Sequence, residues 1–356
     1  MVKLIKNRLK YLDTYIKNEW DTFFWNFVCK YHEKLNWSLL SMNQNITWNI
    51  IKNNPNNDWI KWDWTSISRN PNITVEIIKN NPEYNWNFFS LSSNPNLTWD
   101  FILNNPNKQW SWWYLSNNPN ITVEIIKNNP EYNWNFFSLS SNPNLNWDFI
   151  NKNLNKNWDW SEISKHPNIT WDIVQNNPNN RYIKWNFATL SENPNITWNI
   201  IENNPKCDWS WYGICKNPNI TWDIIEKNIH LHWNWSILSY HKNITIEIIK
   251  SSSIKYNILW DWNEIYRNPN ITMNTINIYD NYIRWTWFYI SDNCFTKEKE
   301  LFYEKYYRKY MAIFRLQQHF NQMYYNPVYT FCRDRLEREY DELHNADNIL
   351  QLNSNI

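Results

Sequence analysis

The side chains that could carry out chemistry are few. His230, His232 and His241 lie in one stretch, with Cys207 and Cys215 one period earlier, and these are residue types that hold zinc. None of them falls at a characteristic ligand spacing, so they read as loop and core residues. Gly213 is the single glycine of the chain, which leaves no phosphate-cradling loop. No G-x-S-x-G or H-E-x-x-H signature occurs. We therefore expect no catalytic residue, no cofactor and no metal. The triplet Asn-[Ile/Leu]-Thr recurs as in Asn72-Ile73-Thr74, a formal glycosylation acceptor. It is locked to the repeat, and the start MVKLIKNRLKYLDTY lacks the apolar core and cleavage site of a secretory signal. The expectation is an unglycosylated protein that stays inside a cell.

What remains is aromatic: 28 Trp, 22 Tyr and 16 Phe. Indoles could stack on bases one per repeat, as helical-repeat RNA readers do. Such a groove also needs cations along its length. The whole chain has 35 Lys and Arg against 34 Asp and Glu. The position after the aliphatic pair runs Lys52, Lys79, Leu103, Lys127, Asn151, Gln175, Glu202, Glu226, Lys250, changing sign halfway. Nucleic acid is thus disfavoured, and the Trp residues read as core. Mean hydropathy is -0.76, with no stretch long and apolar enough for a bilayer. The five cysteines are scattered and odd in number, which suggests reduced, buried thiols.

The elements that must position these groups come from a repeat. The phrase N-P-N-[IL]-T, or a close relative, places its aliphatic residue at Ile46, Ile73, Leu97, Ile121, Leu145, Ile169, Ile196, Ile220, Ile244 and Ile271, at intervals of 24 or 27 residues. Residues 70–102 match 118–150 except at Thr98, which becomes Asn146, so a two-unit block was copied. Enrichment of Asn, Ile, Lys and Tyr together is what AT-rich coding favours. The abundant Trp runs against that drift and points to structural need.

Each half of the unit opens on a small polar residue, such as Thr74 or Asp63, and on to Thr286 between Trp285 and Trp287. These are N-cap types. With Asp63 as cap, Trp62 and Ile67 occupy the two ends of a hydrophobic staple, and Thr74 does the same for Ile73 and Ile78. Each half stops before a proline, at Asn81-Pro82 and Asn94-Pro95. The pattern predicts an all-α fold: an α-solenoid of about ten two-helix repeats of 24 to 27 residues, with helical caps. At roughly 8 to 10 Å between helix axes, ten units trace a path on the order of 100 Å. A β-solenoid or leucine-rich-repeat-like coil is the alternative, since Asn can form ladders; fixed prolines and scarce glycine weigh against it.

We place an N-terminal helical cap with a degenerate repeat at 1–41, the Trp- and Asn-rich array at 42–296, and a charged helical cap at 297–356. In the last, Phe302, Tyr306, Tyr310, Ile313 and Gln317 fall at helical spacing. Longer units carry three extra residues between their helices, around Trp59 to Trp62, Tyr182 to Trp185 and Ile258 to Trp260. The variable inter-helix loops are the candidate partner-binding residues: Trp59, Lys61, Glu83, Tyr84, Lys108, Gln109, Tyr132, Tyr182, Lys184, Lys206, Asp208, His230 and His232.

The phrases NPNITWDII and NNPxxxWxWxxIS, with the tail MAIFRLQQHFNQMYYNPVYTFCRDRLEREY, resemble the Trp- and Asn-rich tandem-repeat proteins of giant DNA viruses of the mimivirus type. The resemblance spans roughly residues 42–340. It implies a viral source and a place in the host cytoplasm or the virion, and supplies no mechanism. A non-enzymatic scaffold for protein-protein interaction is the function expected, with single-stranded nucleic-acid binding and carbohydrate binding as alternatives.

Overall fold

The computed structural model describes residues 2–279, 287–326, 328 and 330–339. The expected cap Thr286, its neighbour Trp285 and the tail 340–356 lie outside the described residues. The fold is all-α, built from regularly repeated short helices, and no strand occurs among the described residues. The chain divides into two compact units, Met1–Glu298 and Lys299–Ile356.

In the first unit both halves of the repeats are helical, and from Asn36 to Thr245 every helix start is capped by a small polar side chain, as the residue types dictate. The Thr74 hydroxyl accepts from the Ile77 N–H at the start of Val75–Asn80, and the Asp63 carboxylate accepts from the Thr65 N–H at the start of Trp64–Arg69. Staple residues Ile73, Ile78, Trp62 and Ile67 are buried. The conserved geometry of the repeat gives its tryptophans a second task. Trp86 Nε1 donates to the Asn81 carbonyl at 2.8 Å, and Trp110, Trp134, Trp158, Trp209 and Trp233 repeat the bond on Asn105, Asn129, Asn153, Asn204 and Asn228. Each indole thereby satisfies a carbonyl left over at a helix C-terminus.

Helices of six residues or fewer cannot stand alone, and two polar ladders join each repeat to the one before it. The asparagine that precedes proline is the first. Asn70 Nδ2 donates to the carbonyls of Ser41, Asn43 and Ile46, 2.9–3.1 Å away, while its Oδ1 accepts from the Asn72 N–H. Asn94, Asn118, Asn142, Asn193, Asn217, Asn268 and Asn293 repeat the arrangement. His166 and His241 take the same place with their rings. A serine forms the second ladder: Ser68 Oγ donates to its own helix at Trp64 and accepts from the cap N–H of Asn87 in the next repeat. Cys215 replaces serine once, its sulfur accepting from the Asn234 N–H. That buried thiol is pushed up to about 11 by burial.

An open path is the expectation from repeats with capped ends; instead, the ladder closes. Asn43 Nδ2 donates to the carbonyls of Ser291 and Asn293 at 2.9 and 3.1 Å. The Asn36 N–H donates to Ser291 Oγ at 2.7 Å, and Asn45 Nδ2 donates to the Cys294 carbonyl at 2.8 Å. These are the bonds that join any two neighbours, formed here between the first repeat and the last. The rungs therefore run Asn43, Asn70, Asn94, Asn118, Asn142, His166, Asn193, Asn217, His241, Asn268, Asn293 and back to Asn43: eleven in a ring. A path near 100 Å closes on a circle of about 30 Å between helix axes.

The N-terminal helix, Val2–Tyr31, completes this seam. Its end stands where a first helix is due: Trp25 stacks on Trp62 at 5.9 Å, as Trp48 packs on Trp86 at 5.7 Å. The chain leaving the last repeat vacates that slot at Phe295, which turns with φ 45°, a left-handed backbone unusual for a bulky residue. Phe295 is buried against Phe24 and Phe27 at 6.3 and 5.3 Å, contacts that hold the turn in place. In the second unit, the helix Thr296–Tyr325 continues beyond its first turns, and residues 330–339 are again helical. Phe331 packs on Phe320 and Tyr324 there.

Candidate binding surface on the inner wall of the ring

The closest helix pairs all join second helices, for example Trp37–Met42 with Trp64–Arg69 and that helix with Phe88–Leu91. Second helices therefore lie on the inside of the curve. Their fourth residues, such as Ile67, Leu91, Leu115 and Leu139, are fully buried. At about 100° per residue, the second and sixth positions point the opposite way, toward the ring axis. A hollow of about 530 Å³ confirms the concavity: Tyr240, Arg267, Phe288 and Leu39, from four successive repeats across the seam, share its lining.

The inner wall has two chemically distinct arcs. In one, the second-position residues Phe89, Trp113 and Phe137 on successive repeats are 51%, 48% and 41% exposed. Their sixth-position companions Ser93, Asn117 and Ser141 carry no charge. Phe89 meets Tyr114 edge-on at 5.5 Å, and Trp113 lies 5.7 Å from Phe137, so the rings form a continuous apolar strip. The other arc carries paired charges: Lys165 with Glu162 at 2.7 Å, Lys216 with Glu192 at 3.7 Å, and Arg267 with Glu264 at 3.1 Å. Burial alone would lower the Lys216 ammonium, yet the Tyr212 hydroxyl and Glu192 hold it above its ordinary value.

Arg69 stands at one end of the aromatic arc. Its guanidinium lies 5.2 Å over the Tyr114 ring. Arg69 Nε and the buried Ser90 Oγ have no hydrogen-bond partner. At the same helix position Ser66 donates to Asp63 and Ser138 to the Trp113 carbonyl.

The thirteen loop residues singled out in the sequence sit at another edge, between first and second helices. Tyr84 and Lys108 line one groove of about 580 Å³ with Trp86, Phe88 and Phe101. Tyr84 packs on Trp64 and Tyr132 on Trp112, each at 4.8 Å, while Lys108 Nζ lies 4.6 Å over Phe88. These three residues tie a loop to the preceding repeat. Trp59 packs on Trp25 and His32, Tyr182 lies beneath Arg181, and His232 is 6.0 Å from Trp211. Lys61, Glu83, Gln109, Lys184, Lys206, Asp208 and His230 are exposed, Lys206 and Asp208 on one loop and each of the others on its own. No hydrogen bond, ion pair or ring contact joins two of the thirteen among the described residues.

The inner-wall residues Arg69, Phe89, Ser90, Trp113, Tyr114 and Phe137 escaped the sequence reading. Their signal was present in the variable slot after the first ring of each second helix: Thr65, Phe89, Trp113, Phe137, Ser161, Ala188, Tyr212. His241 is a rung, and none of the five cysteines forms a disulfide among the described residues, Cys215 and Cys332 being buried and Cys29 exposed. No helix among the described residues is long and apolar enough to cross a membrane.

Fold and surface together define a closed-ring α-solenoid with a divided inner wall. Compared with protein families, curated proteins and solved structures, the chain matches none of them.

Proposed function

We propose that this chain is a non-enzymatic scaffold that binds another protein on the inner wall of its ring, and that it acts in the host cytoplasm or virion of a giant DNA virus. The observation that carries the binding reading is the aromatic arc. Tyr212 and Phe288 are as exposed at the same helix position but stand beside the charged Lys216 and Asp292, whereas Phe89, Trp113 and Phe137 present an uncharged strip on three adjacent units. Contiguous exposed apolar surface is costly in water and marks interaction sites. Rigid aromatic anchors are the side chains that dominate protein interfaces.

The test is photocrosslinking from the full chain in infected cells. Trp113, Phe137, Glu83 and Lys206 are replaced one at a time by p-benzoylphenylalanine. Protein adducts at 113 or 137 are expected. Adducts to nucleic acid or glycan, or no protein adduct from either the wall or the loops, would refute the scaffold reading.

A further inference from the structure

Two exposed lysines at the loop edge have rings for neighbours and no acid. Lys79 and Lys108 line the groove of about 580 Å³ together with Tyr84, Trp86, Phe88 and Phe101. Lys79 Nζ lies 5.8 Å over the Phe101 ring, and Lys108 Nζ lies 4.6 Å over Phe88. No carboxylate lines the groove, and neither lysine forms an ion pair among the described residues. Both phenyls are local departures: Phe88 stands where the neighbouring units have Trp64 and Trp112, and Phe101 where they have Ile77 and Ile125. Attraction of an exposed ammonium to a phenyl face is weak. A charge-assisted bond to an anionic oxygen is stronger, so an arriving anion can draw both cations off their rings.

The same lining recurs further along the chain. Lys127 Nζ lies 5.8 Å over Phe149 and Lys156 Nζ 5.1 Å over Phe136, with Tyr132 and Trp134 in the places of Tyr84 and Trp86. The block shared by 70–102 and 118–150 accounts for Lys127 and the rings, but it ends before Lys156. Beyond it the two stretches diverge, Leu103 to Asn151, Pro106 to Leu154 and Gln109 to Asn157, while Lys108 recurs as Lys156. In the units before each of them the same position holds Tyr84 and Tyr132, which pack on the preceding repeat. The fold therefore does not require lysine there.

Two ammoniums match a group that carries two negative charges. A phosphate monoester carries about −1.5 to −2 near neutral pH, more than a carboxylate can. The ring faces suit a flat body, and bases of any identity stack on aromatic side chains. The Tyr84 hydroxyl, the Asn85 amide and Asn105 Oδ1 line the same groove without a hydrogen-bond partner among the described residues, which leaves donors and acceptors for the edge of a base and for ribose hydroxyls. A nucleic-acid strand would need cations from unit to unit; one nucleotide needs only this pair.

We propose that each of the two grooves binds one nucleoside monophosphate, its phosphate held by Lys79 and Lys108, or by Lys127 and Lys156, and its base stacked on the rings of the groove. The inference goes beyond the scaffold reading and does not depend on it, since the grooves lie at the loop edge and not on the inner wall.

Isothermal titration calorimetry of the full chain with adenosine 5′-monophosphate is expected to give two sites per chain. Adenosine, inorganic phosphate and phenyl phosphate each lack one set of partners and should bind about tenfold more weakly or worse. Lys108→Tyr, which installs the side chain that Tyr84 and Tyr132 supply in the neighbouring units, should leave one site, and Lys108→Tyr with Lys156→Tyr should leave none, at unchanged far-ultraviolet dichroism and urea midpoint. Lys79→Gln with Lys127→Gln, two exposed positions, should weaken both sites about tenfold or more. No binding by the wild type, two sites remaining in Lys108→Tyr, or full affinity in Lys79→Gln with Lys127→Gln would overturn the inference. So would adenosine, inorganic phosphate or phenyl phosphate binding as tightly as the nucleotide. Protein adducts from positions 113 and 137 are read in a separate experiment, so this inference and the scaffold reading fail independently.

Discussion

Replacing His166 and His241 by asparagine should make the ring resistant to mild acid. Both residues are buried rungs in a ladder that is otherwise asparagine. The Asn168 N–H donates to His166 Nδ1 at 3.1 Å, and Nε2 lies 2.9 Å from the Asn142 carbonyl. The corresponding distances at His241 are 3.2 Å from Asn243 and 3.1 Å from the Asn217 carbonyl. One nitrogen accepts and the other donates, so each ring is neutral with its proton on Nε2. A second proton, on Nδ1, would face an N–H donor. Burial is the main reason that both rings are held below the ordinary histidine value of 6.5; a carbonyl bond opposes it at each, Glu162 opposes it at His166, and Lys242 adds to it at His241.

The sign follows from which state binds protons. Below pH 6.5 the unfolded chain takes up protons that the folded rungs refuse, so stability is full above that pH and falls as pH drops toward the lowered folded values. Each histidine contributes at most about 1.4 kcal/mol per pH unit, which integrates to at most about 2.7 kcal/mol for both between pH 7.5 and 5.5. Against a typical total of 5 to 15 kcal/mol that is a large share. Asparagine makes the same two bonds without titrating. Urea unfolding at pH 7.5 and 5.5 should show the wild type losing up to about 2.7 kcal/mol more than His166→Asn/His241→Asn. Equal losses in the two proteins, or a wild type stabilised by acid, would refute the argument; the exposed histidines are common to both and cancel.

Two further outcomes bear on the ring itself. Asn43→Ala with Asn45→Ala removes three side-chain bonds between the first repeat and the last, together with the Trp20 Nε1 bond to Asn45 and the Asn45 N–H bond to Asn43, while leaving every other joint intact; small-angle scattering should show a larger radius of gyration at unchanged helix content, and an unchanged radius would count against closure. Gly213→Ala should destabilise by about 1 to 3 kcal/mol, because the new Cβ would lie 2.4 Å from the Ala188 carbonyl oxygen and 2.7 Å from Ser191 Cβ; a urea midpoint unchanged by the substitution would show that the neighbouring repeat can move aside.

Local rules made much of this architecture legible. Thr74 and Asp63 announce helix starts, Pro82 and Pro95 announce stops, and the period assigns each pair to one unit, because caps and prolines act within a few residues of themselves. The ladders act between residues two dozen positions apart, and no local rule marks them. Asn70 reads as a terminator before Pro71, or as coding bias, until its amide is found on the carbonyls of Ser41 and Asn43. His166-Pro167 reads as a tolerated departure until its ring is seen in the same role. Closure was invisible for a related reason: the angle between repeats is set by packing, and only eleven such angles together decide whether Asn43 meets Asn293. At the surface, attention to loops missed the wall, since a variable slot inside a short helix looks like core until its direction is known.

Closure also disciplines how such an array can change in length. A full turn shared among eleven joints is about 33° each, whereas nine joints would need about 40°. The copied block seen in residues 70–102 and 118–150 adds two joints at a stroke. An open array absorbs such an insertion at its ends. A circle must spread it over every joint, so each amide rung has to tolerate a few degrees of bend, and gain or loss of units comes at the cost of re-curving the whole circumference.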